Sequence, residues 1–249
     1  KRLSSDFIFL TNTAIIAPDG WGKSSLVHKA AGDAMHKEKA LRFCFTDLSN
    51  VRNEERFYEL LVQGVLKAVS RNQSEVVENV KKYFCSTSPR VTFDTEGSFT
   101  VDFDWEDIRR NQDELIDLPF VVAKDKGLKL VVCIDDFNAI GRFSDPDGLL
   151  ERLKNRWKRH EGVVYCICTA PVSFVDKFLK SVPMFYRYGD IIHIGHVSRK
   201  DMVGSLREKF ADSAKYLDNE IAGLIYDMVG GNAFYTQQLA HLSWLGTSV

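Results

Sequence analysis

The sequence predicts an α/β protein built around a parallel sheet, and three observations carry that expectation. Short apolar runs alternate with amphipathic helical stretches. The strongest run, residues 128–137 (LKLVVCIDDF), ends in two carboxylates. A loop of residues 17–24 (APDGWGKS) separates the first apolar run from the first helical stretch. Strands alternating with helices build βαβ units, whose strands run parallel and gather ligands at their carboxyl ends.

Each element has its own reason. TAIIA (13–17) is β-branched, apolar and closed by a turn, as a buried strand is. From Ser24 to about Lys39, Leu26, Val27, Ala30, Ala31, Ala34 and Met35 recur at helical spacing. LRFCF (41–45) reads as a second strand, and 53–69 as a helix with Phe57, Leu60, Leu61, Val65 and Leu66 inward. Residues 85–104 alternate instead, with Val91 and Phe93, then Phe99, Val101 and Phe103, around Glu96 and Gly97. That pattern is a β-hairpin inserted into the series. The run 128–137 is the third strand of the main sheet, 147–160 a helix, VVYCIC (163–168) the fourth strand and DIIHI (190–194) the fifth. Ser198 and Asp201 have the spacing of a capping box, and helices are expected to about 211, over 218–229 and over 234–245. The expected division is an α/β domain of residues 1–196 and a helical subdomain of residues 197–249.

Composition narrows the function classes. The 249 residues carry 33 Lys and Arg against 34 Asp and Glu, a formal net charge of -1 with 45% hydrophobic residues. That is an ordinary globular profile, which advertises neither nucleic acid nor a membrane surface. The five cysteines are odd in number and form no C-x-x-C pair; three lie in apolar runs, as reduced core thiols do. His193 and His196 read as structural histidines rather than ligands. With no signal peptide and no apolar run near 18 residues, a cytoplasmic address is expected, and the abrupt start suggests a fragment of something longer. Lys154, Arg156, Lys158, Arg159 and His160 form the one basic cluster, read as a solvated helix face rather than a DNA contact.

The loop at 17–24 approaches the pattern G-x-x-x-x-G-K-[ST], with Ala17 in place of the first glycine. A loop leaving a buried strand and opening a helix can aim successive N–H groups and the helix N-terminus at one anion. Ala17, Gly20, Trp21, Gly22, Lys23, Ser24 and Ser25 are the candidate ATP-binding residues, with Lys23 reaching the β- and γ-phosphates and Ser24 coordinating Mg²⁺. Pro18 holds Ala17 in extended geometry, where alanine is unstrained. The competing reading is a Pro-Asp-Gly turn before a capped helix, which leaves the following G-K-S-S unexplained. The second constellation is the strand end Ile134-Asp135-Asp136. Asp135 is the candidate Mg²⁺ ligand and Asp136 the candidate base toward the attacking water, one methylene shorter than the usual glutamate. The competing reading is an Asp-Asp turn.

Together these residues resemble AAA+-like ATPases of the STAND type, the archaeal and Bacteroides predicted ATPase group. The stretches that carry the resemblance are WGKSSLV (21–27), LPFVVAKDKGLKLVVCIDDF (118–137), NRWKRHEGVVYCIC (155–168), PMFYRYGDIIHI (183–194) and GGNAFYTQQLAHLSW (230–244). The resemblance implies a P-loop NTPase fold, a parallel five-strand sheet flanked by helices with a C-terminal helical lid subdomain. It also implies ATP and Mg²⁺ as ligands, a nucleotide-driven switch, and a protein partner or self-association. By it, Thr169 is a candidate sensor of the γ-phosphate. Arg187 is either an arginine finger or the partner of a surface salt bridge, and the Gly230-Gly231-Asn232 corner is either a nucleotide-facing lid motif or a plain helix boundary. The chain departs from the group in having Asp19 and Gly20 where two arginines follow the proline, and Asp136 where a glutamate is usual. Two functions follow: a slow ATPase, or a scaffold that binds ATP without turnover.

Overall fold

The computed structural model describes residues 1–182, 185, 187 and 189–246. Pro183, Met184, Tyr186 and Tyr188, in the stretch PMFYRYGDIIHI, lie outside them. In chain order the elements are α1 (Arg2–Ile8), β1 (Thr13–Ile16), α2 (Lys23–Lys37), β2 (Leu41–Asp47), α3 (Glu54–Val69), α4 (Gln73–Tyr83), β3 (Arg90–Phe93), β4 (Phe99–Asp102), α5 (Trp105–Lys126) and β5 (Lys129–Asp135). A 3-10 turn (Phe137–Arg142) follows, then α6 (Pro146–Trp157), β6 (Val163–Thr169), α7 (Ser173–Ser181), β7 (Asp190–His193), α8 (Arg199–Asp212), α9 (Asn219–Met228) and α10 (Ala233–Gly246).

The five-strand parallel sheet runs in the order β2-β5-β6-β1-β7, so consecutive strands are separated by crossovers, as an α/β architecture requires. β5 lies between β2 and β6, and Leu130, Val131, Val132 and Ile134 are fully buried. Strand period two divides these side chains between two faces. On one face Cys44, Leu130, Val132, Ile134, Tyr165 and Ile167 join a core with Leu61 and Val65 of α3, Leu115 and Val122 of α5, and Leu149 and Leu153 of α6. The β3–β4 pair forms a separate antiparallel sheet, with Phe93 opposite Phe99, as the alternating pattern predicts.

Helices α1, α4, α5 and α7 stand outside the expectations. For α5 the end signals are in the sequence. The Asp104 carboxylate accepts the Glu106 N–H, and Gly127 closes the helix at φ 61°. Its interior is irregular, with a break at Asn111 (φ -127°) and Pro119 within the helix, so no clean 3.6-residue stripe runs its length.

The basic cluster is corrected in part. Arg156 donates through Nε to Asp117 Oδ1 at 2.8 Å, pairs through Nη2 with the other carboxylate oxygen, and reaches Asp113 at 3.1 Å. The His160 side chain is 2% exposed, with Nε2 2.9 Å from Asp117 Oδ1 and Nδ1 2.6 Å from the Tyr165 hydroxyl. A carboxylate only accepts, so Nε2 carries the proton and Tyr165 donates to Nδ1. Two of the five cationic positions therefore clamp α6 and its C-terminal turn to α5; Lys158 and Arg159 remain exposed.

Burial, with Arg156 nearby, lowers the His160 pKa to about 4. The unfolded chain then takes up a proton near pH 6.5 that the native state refuses until about 4. This contribution is complete above pH 6.5 and is lost as the pH falls from 6.5 toward 4. Asp117 pulls the other way, so the loss at pH 5 is set at about 1–2 kcal/mol. Thermal melts at pH 7.5 and 5.0 check it: the wild type loses more than His160→Gln does between them.

The chain divides into two compact units, residues 1–16 with 26–192 and residues 17–25 with 193–249. This differs from the expected division after residue 196, which keeps the 17–25 loop with the sheet. The reason is bonding: the loop exchanges hydrogen bonds with the corner before α10, described below. The helical unit has a core of Val203, Leu206, Phe210, Leu217, Ala222, Ile225 and Ala240. No helix among the described residues is long and apolar enough to cross a membrane.

Candidate functional site: a glycine loop and a carboxylate strand end

The loop of residues 17–22 continues directly from β1 and runs into α2, whose first residue is Lys23. Gly20 (φ 79°) and Gly22 (φ 87°) both take left-handed backbone conformations that other residues adopt at a cost. A Cβ on Gly22 would meet nothing within 4 Å, whereas one on Gly20 would lie 2.7 Å from the Asn232 side chain. Gly22 is therefore needed for its backbone turn and Gly20 for the turn and for the close approach of Asn232.

Lys23 is 6% exposed, and its ammonium is held inside the loop it follows. It donates to the carbonyls of Ala17 at 2.9 Å and Pro18 at 3.2 Å, and pairs with Asp19 Oδ1 at 3.3 Å. Asp19, which stands where the resemblance has an arginine, has its carboxylate on the lysine, though its side chain is 80% exposed and screened by water. Ser24 and Ser25 are exposed in the first turn of α2. The Trp21 ring lies 3.9 Å from the His196 ring.

The Gly230-Gly231-Asn232 corner is a helix boundary whose asparagine also bonds to the 17–22 loop. Asn232 Oδ1 accepts the N–H groups of Phe234 and Tyr235, capping α10. Its Nδ2 donates to the Asp19 carbonyl at 3.2 Å, and the Phe234 N–H reaches the Gly20 carbonyl at 3.0 Å. We expect Gly20→Ala to cost about 1–2 kcal/mol from the left-handed φ alone, with further loss as Asn232 is displaced. A chemical-denaturation midpoint equal to that of the wild type would refute this packing.

A second group of candidate residues sits at the end of β5. β5, β6 and β1 are parallel neighbours, so their carboxyl ends share one edge of the sheet. Asp135 is the last residue of β5, beside Asp47 in register, and its Oδ1 accepts the Asp136 N–H at 3.0 Å. Asp136 takes a left-handed conformation (φ 55°, ψ 39°), and its carbonyl accepts the Ala139 N–H. Asp and Asn tolerate that conformation better than longer side chains, which is a local reason for aspartate at a position where the resemblance predicts glutamate.

Thr169 ends β6 and is fully buried. Its hydroxyl faces Asn138 Oδ1 at 3.3 Å and the Ala170 carbonyl at 3.0 Å, and Asn138 Oδ1 also accepts the Ala170 N–H at 3.0 Å. The Asn138 amide oxygen is thus held by two donors. Asn138 is the polar residue that sequence reasoning missed; its signal is a lone amide three residues after a strand-end aspartate. Arg187 is exposed in a turn. Among the described residues no cluster of three or more His, Cys, Asp or Glu forms a metal site by itself.

No protein-family model matches the chain, and a search of curated protein sequences gives no match. Solved structures do match. The Aeropyrum pernix ORC1 protein, solved in complex with DNA, superposes with a TM-score of 0.61 at 10% identity, over 99% of this chain and 60% of that one. The Aeropyrum pernix ORC2 protein, solved in ADPNP-ADP complexes, gives a TM-score of 0.59 at 12% identity over 97% and 60%. The fold is that of the AAA+ P-loop ATPases. Domain III of the Thermotoga maritima replication initiation protein DnaA gives 0.51 at 13% identity, covering 96% of this chain and 76% of that one. The AAA+ fold here spans about three-fifths of the ORC chains it matches.

Proposed function

We propose that this chain is the ATP·Mg²⁺-binding domain of a STAND-type AAA+ ATPase, a cytoplasmic switch that hydrolyses ATP slowly and acts on a protein partner or on further copies of itself. The observation that carries the reading is the loop: two glycines at positive φ, then a lysine as the first residue of a helix. Such a turn offers consecutive N–H donors and a helix N-terminus to an anion. The residues fit ATP in kind. Ala17, Gly20, Trp21, Gly22, Lys23, Ser24 and Ser25 would hold the phosphates, and the Ser24 hydroxyl and Asp135 would hold Mg²⁺. The bound ion supplies charge neutralisation on the phosphates and the leaving oxygen.

The chain's own groups have separate tasks. The Lys23 ammonium leaves the Ala17 and Pro18 carbonyls for a phosphate oxygen. Asp136 orients a water and accepts its proton. Thr169 acts through Asn138 as a positioning residue for the γ-phosphate, and Arg187 adds positive charge from the same or a neighbouring copy. The ORC1 neighbour is described in complex with DNA. For this chain, direct nucleic-acid binding is not proposed, since Arg156 and His160 are committed to Asp117.

A second reading, an ATP-gated scaffold without turnover, is favoured by one observation: the short Asp136 carboxylate on a left-handed residue. Phosphate release under saturating ATP·Mg²⁺ separates the two. For the ATPase, release is measurable and falls about 10²-fold or more in Asp136→Ala, in line with loss of a general base. Saturable ATP binding with no release by the wild type would leave the scaffold.

A further inference from the structure

The β3–β4 hairpin takes no part in the nucleotide reading, yet it builds one wall of a cavity in the sheet unit. The cavity holds about 440 Å³ and lies between the hairpin, the C-terminal turn of α3 and the start of α4. That is within the range of small-molecule sites. Phe93 and Phe99, opposite one another in register with ring centroids 5.9 Å apart, give it an aromatic surface. Lys67 and Arg71 line it from the α3–α4 elbow. Neither cation belongs to any ion pair among the described residues, and Glu96 is the one carboxylate in the lining.

In the same wall Gln63 donates through Nε2 to the Phe99 carbonyl at 2.6 Å and ties the hairpin to α3. Aromatic surface and two cations, Arg71 with the Glu75 charge nearby, are complementary to an apolar ring and an anionic group. We propose that this cavity binds a small planar aromatic acid, separately from the nucleotide loop. The carboxylate lies against Lys67 and Arg71, and the ring against Phe93 and Phe99.

The probe is indole-3-acetate, titrated calorimetrically and by ¹⁵N–¹H NMR into the intact chain. Saturable binding at sub-millimolar concentration is expected, with shifts concentrated at residues 63–76 and 93–99. Lys67→Ala with Arg71→Ala, both surface changes, weakens it at least tenfold, as does replacing the probe by indole-3-ethanol, which lacks the charge. Lys23→Ala leaves the affinity unchanged, so this result and the fate of the ATP reading are independent. The proposal is overturned by absence of saturation to 10 mM probe (about 2.7 kcal/mol weaker than 0.1 mM), or by binding indifferent to the double substitution. Shifts mapping instead to the second cavity, beside Phe210, His241 and Trp244, also overturn it.

Discussion

Lys23→Ala abolishes practical ATP binding: in a calorimetric titration with Mg²⁺, Kd rises at least about 100-fold, some 2.7 kcal/mol. The expectation follows from chemistry that no other residue of the loop supplies. Lys23 is the cation at the head of α2, and its ammonium already reaches two loop carbonyls and Asp19. Removing it deletes the charge that a phosphate would meet and leaves the Ala17 and Pro18 carbonyls without that donor. A melting curve recorded alongside distinguishes loss of ligand contact from loss of the fold. A folded Lys23→Ala variant with unaltered affinity would end the phosphate-loop reading.

The second large effect concerns stability. Trp157 closes α6 at 1% exposure, stacks on Tyr165 with centroids 3.9 Å apart, and lies within 6.5 Å of Phe137 and Phe178. Trp157→Ala is expected to cost about 3–5 kcal/mol, since an aromatic void in a packed core closes only partly. Its indole N–H is buried without a partner, so that atom contributes nothing favourable. Trp157→Phe should therefore cost much less, about 1–1.5 kcal/mol, from the smaller ring. Denaturant midpoints of the two variants check the ordering, and equal losses would show that the indole N–H has a partner after all.

The sheet was legible because its strands are buried on both faces, so LKLVVCID and VVYCIC carry continuous apolar signals that no helix of that length shares. The hairpin was legible from alternation around Glu96 and Gly97, and the lid helices from Ser198 and the glycine corner. What escaped had mixed or broken patterns: α5 with its break at Asn111 and Pro119, and α1, only seven residues long. In the loop, sequence placed Gly22 and Lys23 at a helix start. It could not foresee that Asn232, more than two hundred residues away, caps α10 and holds the Asp19 carbonyl at once, because that contact exists only in three dimensions. His160 was misread for the same reason: a cationic residue in a charged run looks solvated until Asp117 and Tyr165 are placed beside it.

The Asp19–Lys23 pair has a consequence for the proposed phosphate site. On that reading Lys23 exchanges one anion for another, and because the Asp19 carboxylate is 80% exposed, the pair given up is a weak one. Added salt screens such a pair, so Asp19→Asn should change ATP affinity most at low ionic strength.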